Sequence, residues 1–409
     1  MTELTLGLLR KAVESSAAAF RCRRRLQPAG GEGDKVFPPT FAGAVYAIER
    51  RRVPGRDEPV TCVLLDSVQS QANRMELALQ EAVDASRLKV PLLMVDFSKQ
   101  DPTGDIEADE KAGRFIDPVG RVTSLQVPHR LADAILRDSE LDGVLFRKSD
   151  RGKALNTVSL ANATPLFDLC PTALVFGMWD STGPKGGLGP KFERALVSEI
   201  VGMGAEWQED YRARGVRRDP LETRAAVKVI KAADKSWTVA EPTAKGATQP
   251  SRVNHSSVPF DSRNSGVTIE YAEQVTTLSL VCLRRLRFPL NGAGRPEVDA
   301  AARTALAALG LCAATLAFES GVDLRSRCLL WPDGAMQWEL LDRPGTAPAT
   351  YSLSGDAAVK LLDGAIEAAR EAKLPWTEEP IVLEPSQELV KLVRLSQLEA
   401  TKEESDGSK

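Results

Sequence analysis

Four glycines fall within the seven residues 183–189, and this run constrains the chain more than any other stretch. Glycine lacks a Cβ and reaches positive φ, so the backbone here can turn sharply and approach a ligand closely. The apolar residues 173–176 before the run predict a buried strand, and residues 195–201 after it can form a helix. Pro190 suits the first position of that helix, which would direct unpaired N–H groups and its positive dipole end towards the glycines.

Full positive charges flank the glycine-rich run. Lys185 lies within the run itself. In the predicted helix, Lys191, Arg194 and Ser198 stand at i, i+3 and i+7, on one face. The pattern predicts an anion cradle, and the anion that it favours is a nucleic-acid phosphate. The alternative is a tight turn between a strand and a helix, with solvated lysines.

The spacing excludes two common nucleotide-binding motifs. A P-loop that begins at Gly183 needs a glycine at position 188, which is leucine. A dinucleotide fingerprint that begins at Gly187 needs a third glycine at the position of Phe192. The glycine-rich run therefore belongs to neither class.

The net charge of the chain is −3, so no global field attracts polyanions. Nucleic-acid binding must then depend on local basic clusters, for each of which a solvated surface is the alternative. The clusters are residues 21–25, 50–52, 212–218 and 284–287.

Cysteine and histidine usage predicts neither a zinc site nor disulfides. The six cysteines form no CxxC pair, and the chain has two histidines. We expect buried or free thiols in a reducing, cytoplasmic compartment. No basic region followed by a long apolar core opens the sequence, so we expect no signal peptide.

Hydrophobic periodicity and turn residues predict the element order of the first two thirds of the chain. The predicted elements are a helix over 3–20, strands over 44–48, 60–65 and 91–97, a helix over 68–87 and a strand pair over 225–240. Residues 98–127 and 241–266 are rich in turn-forming residues and predict inserted loops, the second of them mobile.

The last third follows the order β-α-β-β-α-β, which is typical of ferredoxin-like and RNA-recognition-motif (RRM) folds of the α+β class. Its apolar helix could cross a membrane by composition, but Arg303 and a high alanine content favour a core helix, and we expect no membrane contact. The predicted elements are a strand over 276–288, a helix over 296–318, a hairpin of 326–331 and 336–341, a helix over 356–372 and a strand over 381–383.

We predict one elaborated RRM-like domain over residues 1–398. Residues 399–409 are charged and predict a disordered tail.

Polar residues elsewhere are further candidates for nucleic-acid contact. Ser67, Gln71 and Arg74 share one side of the predicted helix 68–87, where an amide and a guanidinium suit phosphate or sugar; an exposed polar face is the alternative. His129 could contact RNA or act as a catalytic base, and a structural imidazole is the alternative. Asn254-His255 lies in the second predicted loop, which could also be a plain linker.

Several stretches together carry a specific family pattern. The longest is Phe176-Gly177-x-Trp179-Asp180-Ser181-Thr182-Gly183-Pro184-Lys185-Gly186-Gly187-Leu188-Gly189, followed by Phe192-x-Arg194-Ala195-Leu196. The others are Asp66-Ser67-x-x-Ser70-Gln71-x-Asn73-Arg74-Met75-Glu76, His129-Arg130-x-x-Asp133-Ala134, Pro38-Pro39-Thr40 and Asn254-His255. Over most of its length the chain resembles the backbone subunit of the type I-G (formerly I-U) CRISPR interference complex, a Cascade.

The resemblance implies a modified RRM palm with inserted thumb-like and web-like segments. It implies that copies line up head-to-tail along one CRISPR RNA and hold its spacer for pairing with target DNA. Further implied partners are the other Cascade subunits, namely a large subunit and a fused backbone-cap and processing subunit, and the helicase-nuclease.

We predict no catalytic residue, no cofactor and no metal, because the sequence shows no paired acid-base constellation and no zinc-ligand pattern. The RNA-binding residues that we predict are Ser67, Gln71, Asn73, Arg74, His129, Arg130, Trp179, Ser181, Thr182, Gly183, Lys185, Gly186, Gly187, Gly189, Lys191, Arg194, Asn254 and His255.

Two enzymatic alternatives stay open on sequence alone. One is a CRISPR-associated endoribonuclease acting on precursor or target RNA, with His129 or His255 as general base, or with Asp101 or Asp105 in a catalytic loop. The other is a small-molecule phosphate enzyme that uses the glycine-rich run.

Overall fold

The structure is a computed structural model of the chain. It describes residues 2–43, 45–183, 186–206, 216–217, 220–221, 223–232, 236–255, 258–259 and 266–406.

Helices and strands alternate along the described residues. The helices are α1 (Leu6–Glu14), α2 (Val68–Asp84), α3 (Ile106–Ala112), α4 (Ala134–Arg137), α5 (Asp150–Lys153), α6 (Thr164–Leu169), α7 (Thr172–Phe176), α8 (Leu280–Arg284), α9 (Pro296–Glu319), α10 (Gly355–Glu371) and α11 (Gln387–Asp406). Short 3₁₀ helices cover Arg130–Ala132, Phe146–Lys148, Ala154–Thr157, Gly186–Leu188 and Pro250–Val253.

The strands are β1 (Thr2–Glu3), β2 (Ala19–Pro28), β3 (Thr40–Phe41), β4 (Val45–Tyr46), β5 (Ile48–Arg51), β6 (Val60–Asp66), β7 (Leu93–Asp96), β8 (Arg121–Thr123), β9 (Ser139–Leu141), β10 (Val144–Leu145), β11 (Met178–Trp179), β12 (Lys191–Phe192), β13 (Leu196–Met203), β14 (Val216–Arg217), β15 (Lys228–Lys231), β16 (Trp237–Ala240), β17 (Val258–Pro259), β18 (Tyr271–Ser279), β19 (Val322–Asp323), β20 (Leu329–Pro332), β21 (Trp338–Leu341), β22 (Ala349–Ser352) and β23 (Ile381–Pro385).

The chain divides into two compact units, where the sequence predicted one domain. The first unit comprises Met1–Lys99, Val119–Glu206 and Gly266–Leu389, and the second comprises Gln100–Pro118, Trp207–Ser265 and Val390–Lys409. Both predicted insertions, 98–127 and 241–266, contribute residues to the second unit.

A ten-stranded sheet organises the first unit. Its order is β1-β22-β21-β2-β18-β13-β6-β5, and β20 also pairs with β2 and carries β19. The strands are antiparallel except for the parallel pair of β1 and β22. The long central pairs are β2 with β18 and β18 with β13. Along the chain, α2 follows β6 directly, and α9 lies between α8 and β19.

Strand β2 contains the arginine-rich segment 21–25 and alternates strictly between its two faces. Phe20, Cys22 and Leu26 are buried in the core, because successive side chains of a strand point to opposite sides. On the other face Arg21, Arg23 and Arg25 form salt bridges to Glu339, Glu273 and Asp333, three acids of neighbouring segments. This predicted basic cluster is therefore largely neutralised within the protein.

Helix α9 is the core helix that the sequence predicted over 296–318. Pro296 occupies its first turn, where a proline costs no hydrogen bond. Its most apolar window has a mean hydropathy of 1.6, enough by length and composition to cross a membrane, and 83% of that window is buried inside the protein. The helix packs against α1, α2, α7 and α10, which explains why it is apolar on nearly all sides.

The predicted C-terminal β-α-β-β-α-β order needs three corrections. The strand expected over 276–288 ends at Ser279, and the residues directly after it form α8. Strand β23 belongs to a second sheet of order β10-β9-β23-β7-β8, where it runs parallel to β7. Strands β20 and β21 do not form a hairpin with each other, because both pair antiparallel with β2, one after the other. Residues 333–335 of the predicted turn lie between these two strands.

Two predictions beside the glycine-rich run are wrong. Residues 173–176 lie in the helix α7, and the segment expected to be a helix over 195–201 is the strand β13. In β13, Leu196, Ser198 and Ile200 point inward at alternate positions, and this period of two outweighed the helical spacing of the charged residues.

All six cysteines are free thiols, as predicted, and five of them are buried. Burial raises the pKa of Cys22 to about 11 and the pKa of Cys312 to about 12.

In the second unit, β15 and β16 form the predicted strand pair. The carboxylate of Asp105 caps α3 by accepting from the amide of Ala108. Helix α11 extends to Asp406, through most of the tail for which the sequence predicted disorder. The Gln397 side chain on α11 accepts from the amide of Ile116, which ties the helix to residues of the first insertion.

Candidate nucleic-acid interface

A two-stranded hairpin supports the glycine loop, defined here as residues 180–190. Strand β11 pairs with β12, so that Trp179 lies opposite Lys191, and the amide of Asp180 donates to the carbonyl of Pro190 over 3.0 Å. Within the loop the amide of Gly186 donates to the carbonyl of Gly183 over 2.8 Å. The loop is thus closed by strand pairing and not by the predicted helix, so the helix dipole expected to point at the ligand is absent here.

A buried ion pair fixes the base of the glycine loop. Asp180 is 3% exposed, and its carboxylate accepts from Arg147 Nη2 over 2.8 Å. A Cβ on Gly183 would lie 2.4 Å from the Asp180 carboxylate, and a Cβ on Gly189 would lie 1.8 Å from the Asp180 carbonyl oxygen. Glycine is therefore required at both positions, because the backbone packs directly on this pair.

Sequence analysis placed Asp180 in a motif without assigning it a role, and it did not single out Arg147. The signal for an ion pair was the charged residue next to the glycines, but nothing local pointed to a partner 33 residues away.

Beside the hairpin lies a groove of about 400 Å³. Six of the predicted RNA-binding residues line it, which are His129, Arg130, Trp179, Ser181, Lys191 and Arg194. The remaining lining residues are Pro128, Phe176, Gly177, Met178, Phe192 and Glu193. The groove thus brings residues 128–130 together with residues 176–194.

The groove combines an aromatic surface with two cations. Trp179 is 52% exposed, and the Lys191 ammonium lies 5.6 Å from the centre of its indole ring. Lys191 and Arg194 are both exposed, and neither forms a salt bridge with any residue that the structure describes. An exposed indole can stack a base while the cations attract phosphates, the combination typical of single-strand binding.

Arg130 lines the groove, but its guanidinium forms hydrogen bonds with groups inside the protein. It is 7% exposed, and its guanidinium donates two hydrogen bonds of 2.7 Å to the Glu76 carboxylate and one of 3.0 Å to the carbonyl of Gly177. Burial raises the pKa of Glu76 to about 7, although Arg130 acts in the opposite direction. Because its donors have protein acceptors, the role of Arg130 is to position the groove wall.

The predicted contact face of α2 is largely internal. Gln71 is 4% exposed: its amide oxygen accepts from Ser198 and Gln274, and its amide nitrogen donates to Asp66. The Arg74 guanidinium donates to the buried Asp66 carboxylate and to the carbonyls of Asp323 and Leu324.

Gln71 and Arg74 therefore have hydrogen-bond partners inside the protein. The prediction that Ser198 shares a helix face with Lys191 and Arg194 is wrong, because Ser198 is buried in the sheet. Ser67 caps α2 by accepting from the amide of Ser70, whereas Asn73 is exposed.

The remaining predicted contacts fall in three places. Ser181, Thr182 and Gly187 are exposed on the glycine loop, and Gly186 adopts φ +54° there. Lys185 lies outside the described residues. Asn254 and His255 belong to the second unit, where Asn254 has φ +62° and His255 contacts Trp237 edge-on at 5.2 Å.

The residues considered for catalysis have the following surroundings. His129 is exposed in the groove, and its backbone amide donates to Asp133 over 3.2 Å. Asp105 is occupied as a helix cap, and Asp101 and His255 lie in the second unit with it. Among the residues that the structure describes, no cluster of histidine, cysteine and carboxylate side chains could hold a metal ion.

Comparison with known proteins gives one family match. Residues 20–207 match the sequence model of a family described as CRISPR-associated protein GSU0053 (Cas_GSU0053). That span includes α2, His129 and the whole glycine loop, so nearly half of the chain carries the pattern of a CRISPR-associated family. No curated protein sequence matches the chain. Among solved structures, the crystal structure of Thermofilum pendens Csc2 aligns at 11% identity and a TM-score of 0.28, covering 98% of this chain and 92% of that chain.

Proposed function

We propose that the protein is a non-catalytic, cytoplasmic RNA-binding subunit of a Cascade-type CRISPR complex, specifically the backbone subunit of the type I-G complex. In this role it grips the ribose-phosphate strand of a CRISPR RNA in the groove beside the glycine loop. The bases of the spacer are left free to pair with target DNA. Copies of the subunit follow one another head-to-tail along the guide, next to the other Cascade subunits and the helicase-nuclease.

The observation that carries this proposal is the convergence of Trp179, Lys191 and Arg194 on one groove. These side chains can attract phosphates and stack a base without selecting among bases, since a π-face and a phosphate occur at every nucleotide. The match to a CRISPR-associated family covers the same residues.

The strand order of the main sheet supports an RRM-like palm. Strands β21, β2, β18 and β13 are neighbours in that order, and along the chain they occur as β2, β13, β18 and β21. Helix α2 lies between β2 and β13, and α9 lies between β18 and β21. This is the connectivity of a split β-α-β fold, with β5 and β6 added at one edge.

Removing the two groove cations tests the proposal. We expect Lys191→Ala and Arg194→Ala each to lower the affinity for a labelled single-stranded RNA of any sequence. The slope of log affinity against log salt should fall by about 0.7 for each lost phosphate contact. The measurement is fluorescence anisotropy between low and moderate salt. The matched control is Lys360→Ala, an exposed lysine on α10 that is not part of the groove.

Two results would contradict the proposal. The first is an unchanged affinity and salt slope in the Lys191→Ala, Arg194→Ala double variant. The second is site-specific cleavage of guide precursor RNA that is lost in His129→Ala, which would favour the endoribonuclease, since His129 is the exposed imidazole of the groove.

A further inference from the structure

On the other side of the glycine loop lies a second, smaller cavity of about 270 Å³. Its lining residues are Leu131, Ala132, Arg137, Arg147, Lys148, Asp180, Thr182 and Gly183. Neither the family pattern nor the groove includes Arg137, Arg147 or Lys148. Three cations and a threonine hydroxyl around one cavity are the donors that a phosphate or sugar oxygen needs.

The charge around this cavity is not cancelled. Asp180 accepts from Arg147, and Asp138 accepts two hydrogen bonds of 2.7 Å from Arg137. Lys148 is exposed and forms no salt bridge with any residue in the described part of the chain. One positive charge therefore remains for a ligand.

Two hydrogen bonds hold the Arg147 side chain beside the cavity. Its side chain is 14% exposed, and Nη2 donates both to Asp180 and, over 3.3 Å, to Asn156. Its Nη1 and Nε donate no hydrogen bond to any residue that the structure describes. A guanidinium has five N–H donors in a rigid fork, so donors remain after the ion pair is formed.

Adjacent residues of the glycine loop line the groove and the cavity. Ser181 lines the groove, whereas the next residue, Thr182, lines the cavity together with Gly183. Neighbouring Cα atoms are about 3.8 Å apart, so the two sites are close enough for successive nucleotides of one strand.

We infer that the cavity of Arg137, Arg147, Lys148 and Thr182 binds a second phosphate of the same RNA strand, which crosses the glycine loop between Ser181 and Thr182. This inference rests on the proposed function. The strand has cations on both sides of the loop, and the buried Asp180–Arg147 pair links the two sites. Lys148 is the side chain that contributes the unpaired charge.

The test compares Lys148→Ala, Lys191→Ala and their double variant in the full-length protein. The probe is a fluorescently labelled single-stranded RNA of mixed sequence, titrated at several sodium chloride concentrations. We expect each single variant to reduce the salt slope by about 0.7 and the double variant to reduce it by about 1.4. Lys360→Ala should leave the slope unchanged, and thermal melts should show that the exposed lysine substitutions do not unfold the protein.

The outcomes separate this inference from the proposed function. If Lys191→Ala weakens binding but Lys148→Ala has the slope of the unaltered protein, the second phosphate site is wrong and the proposed function stands. If the unaltered protein binds no RNA at low salt, the proposed function fails as well. If Lys148→Ala abolishes binding of a mononucleotide but leaves RNA binding unchanged, the cavity serves a small molecule and the inference is overturned.

Discussion

At the scale of single residues, Asp180 shapes the glycine loop from inside the protein. Its carboxylate pairs with Arg147, and its carbonyl oxygen lies where a Cβ of Gly189 would stand. The groove residues Trp179 and Lys191 owe their positions to the strand pairing directly beside it. A residue hidden from solvent thus controls how the exposed ones are presented.

Two glycines of the loop provide a matched test of this arrangement. We expect Gly189→Ala to weaken RNA binding and to destabilise the loop by about 1–3 kcal/mol, because the new methyl group would overlap the Asp180 carbonyl. Gly187→Ala adds the same methyl group where no atom lies within 4 Å, so it should leave the stability of the protein unchanged. Thermal melts of the two variants measure the difference in stability, and anisotropy titrations of Gly189→Ala measure the loss of affinity. Equal stability in both variants would show that the close approach at Gly189 does not constrain the loop.

At the scale of elements, sequence periodicity predicted most of the regular structure. Helix α2, the core helix α9, the strand β6 and the pair of β15 and β16 all occur where the patterns placed them. The errors came where a short apolar run fits both a helix and a strand, as in α7. In those cases the secondary structure depends on contacts with segments far apart in the chain, and such contacts leave no local signal in the sequence.

The candidate site was predictable to a different extent. Trp179, Lys191 and Arg194 could be found from the glycine-rich motif, and the structure brings them together with His129. The amide of Gln71 and the guanidinium of Arg74 looked suitable for phosphate, but both donate to the Asp66 carboxylate inside the protein. A side chain's chemistry does not reveal whether its face of a helix meets solvent or a buried sheet.

Helix α2 offers a prediction that separates these two roles. We expect Gln71→Leu to lower the free energy of unfolding by about 2 kcal/mol or more, because it removes three buried hydrogen bonds worth about 0.5–1.5 kcal/mol each. The partners concerned are Ser198, Gln274 and Asp66. The exposed Asn73 on the same helix supplies the control, and Asn73→Ala should change stability little. Urea unfolding measures both variants, and a Gln71→Leu protein as stable as the control would contradict the network.

At the scale of the whole molecule, the net charge does not attract RNA, so binding must depend on local cations. The net charge is −3, and yet Lys191, Arg194 and Lys148 stand without salt bridges around one loop in the part of the chain that the structure describes. A nearly neutral subunit can approach copies of itself without strong repulsion. An open, head-to-tail row of copies would then be limited by the length of the RNA.

The proposed assembly predicts how binding scales with RNA length. We expect the number of copies per RNA to rise in steps as the strand is lengthened, because each copy would occupy one stretch of backbone. Mass photometry of the protein mixed with RNAs of increasing length counts the copies. The Lys191→Ala, Arg194→Ala double variant should form few such complexes. A single copy on every RNA, whatever its length, would rule out polymerisation along the strand.

The paired arginines of β2 have a consequence for selectivity. In the sequence, Arg21, Arg23 and Arg25 form a dense basic cluster that should attract a polyanion, but each forms a salt bridge with an acid of a neighbouring segment. These salt bridges leave little net positive charge on this face of the sheet. Nucleic acid should therefore bind weakly there, and the protein can discriminate between its surfaces because the arginines of this one are neutralised.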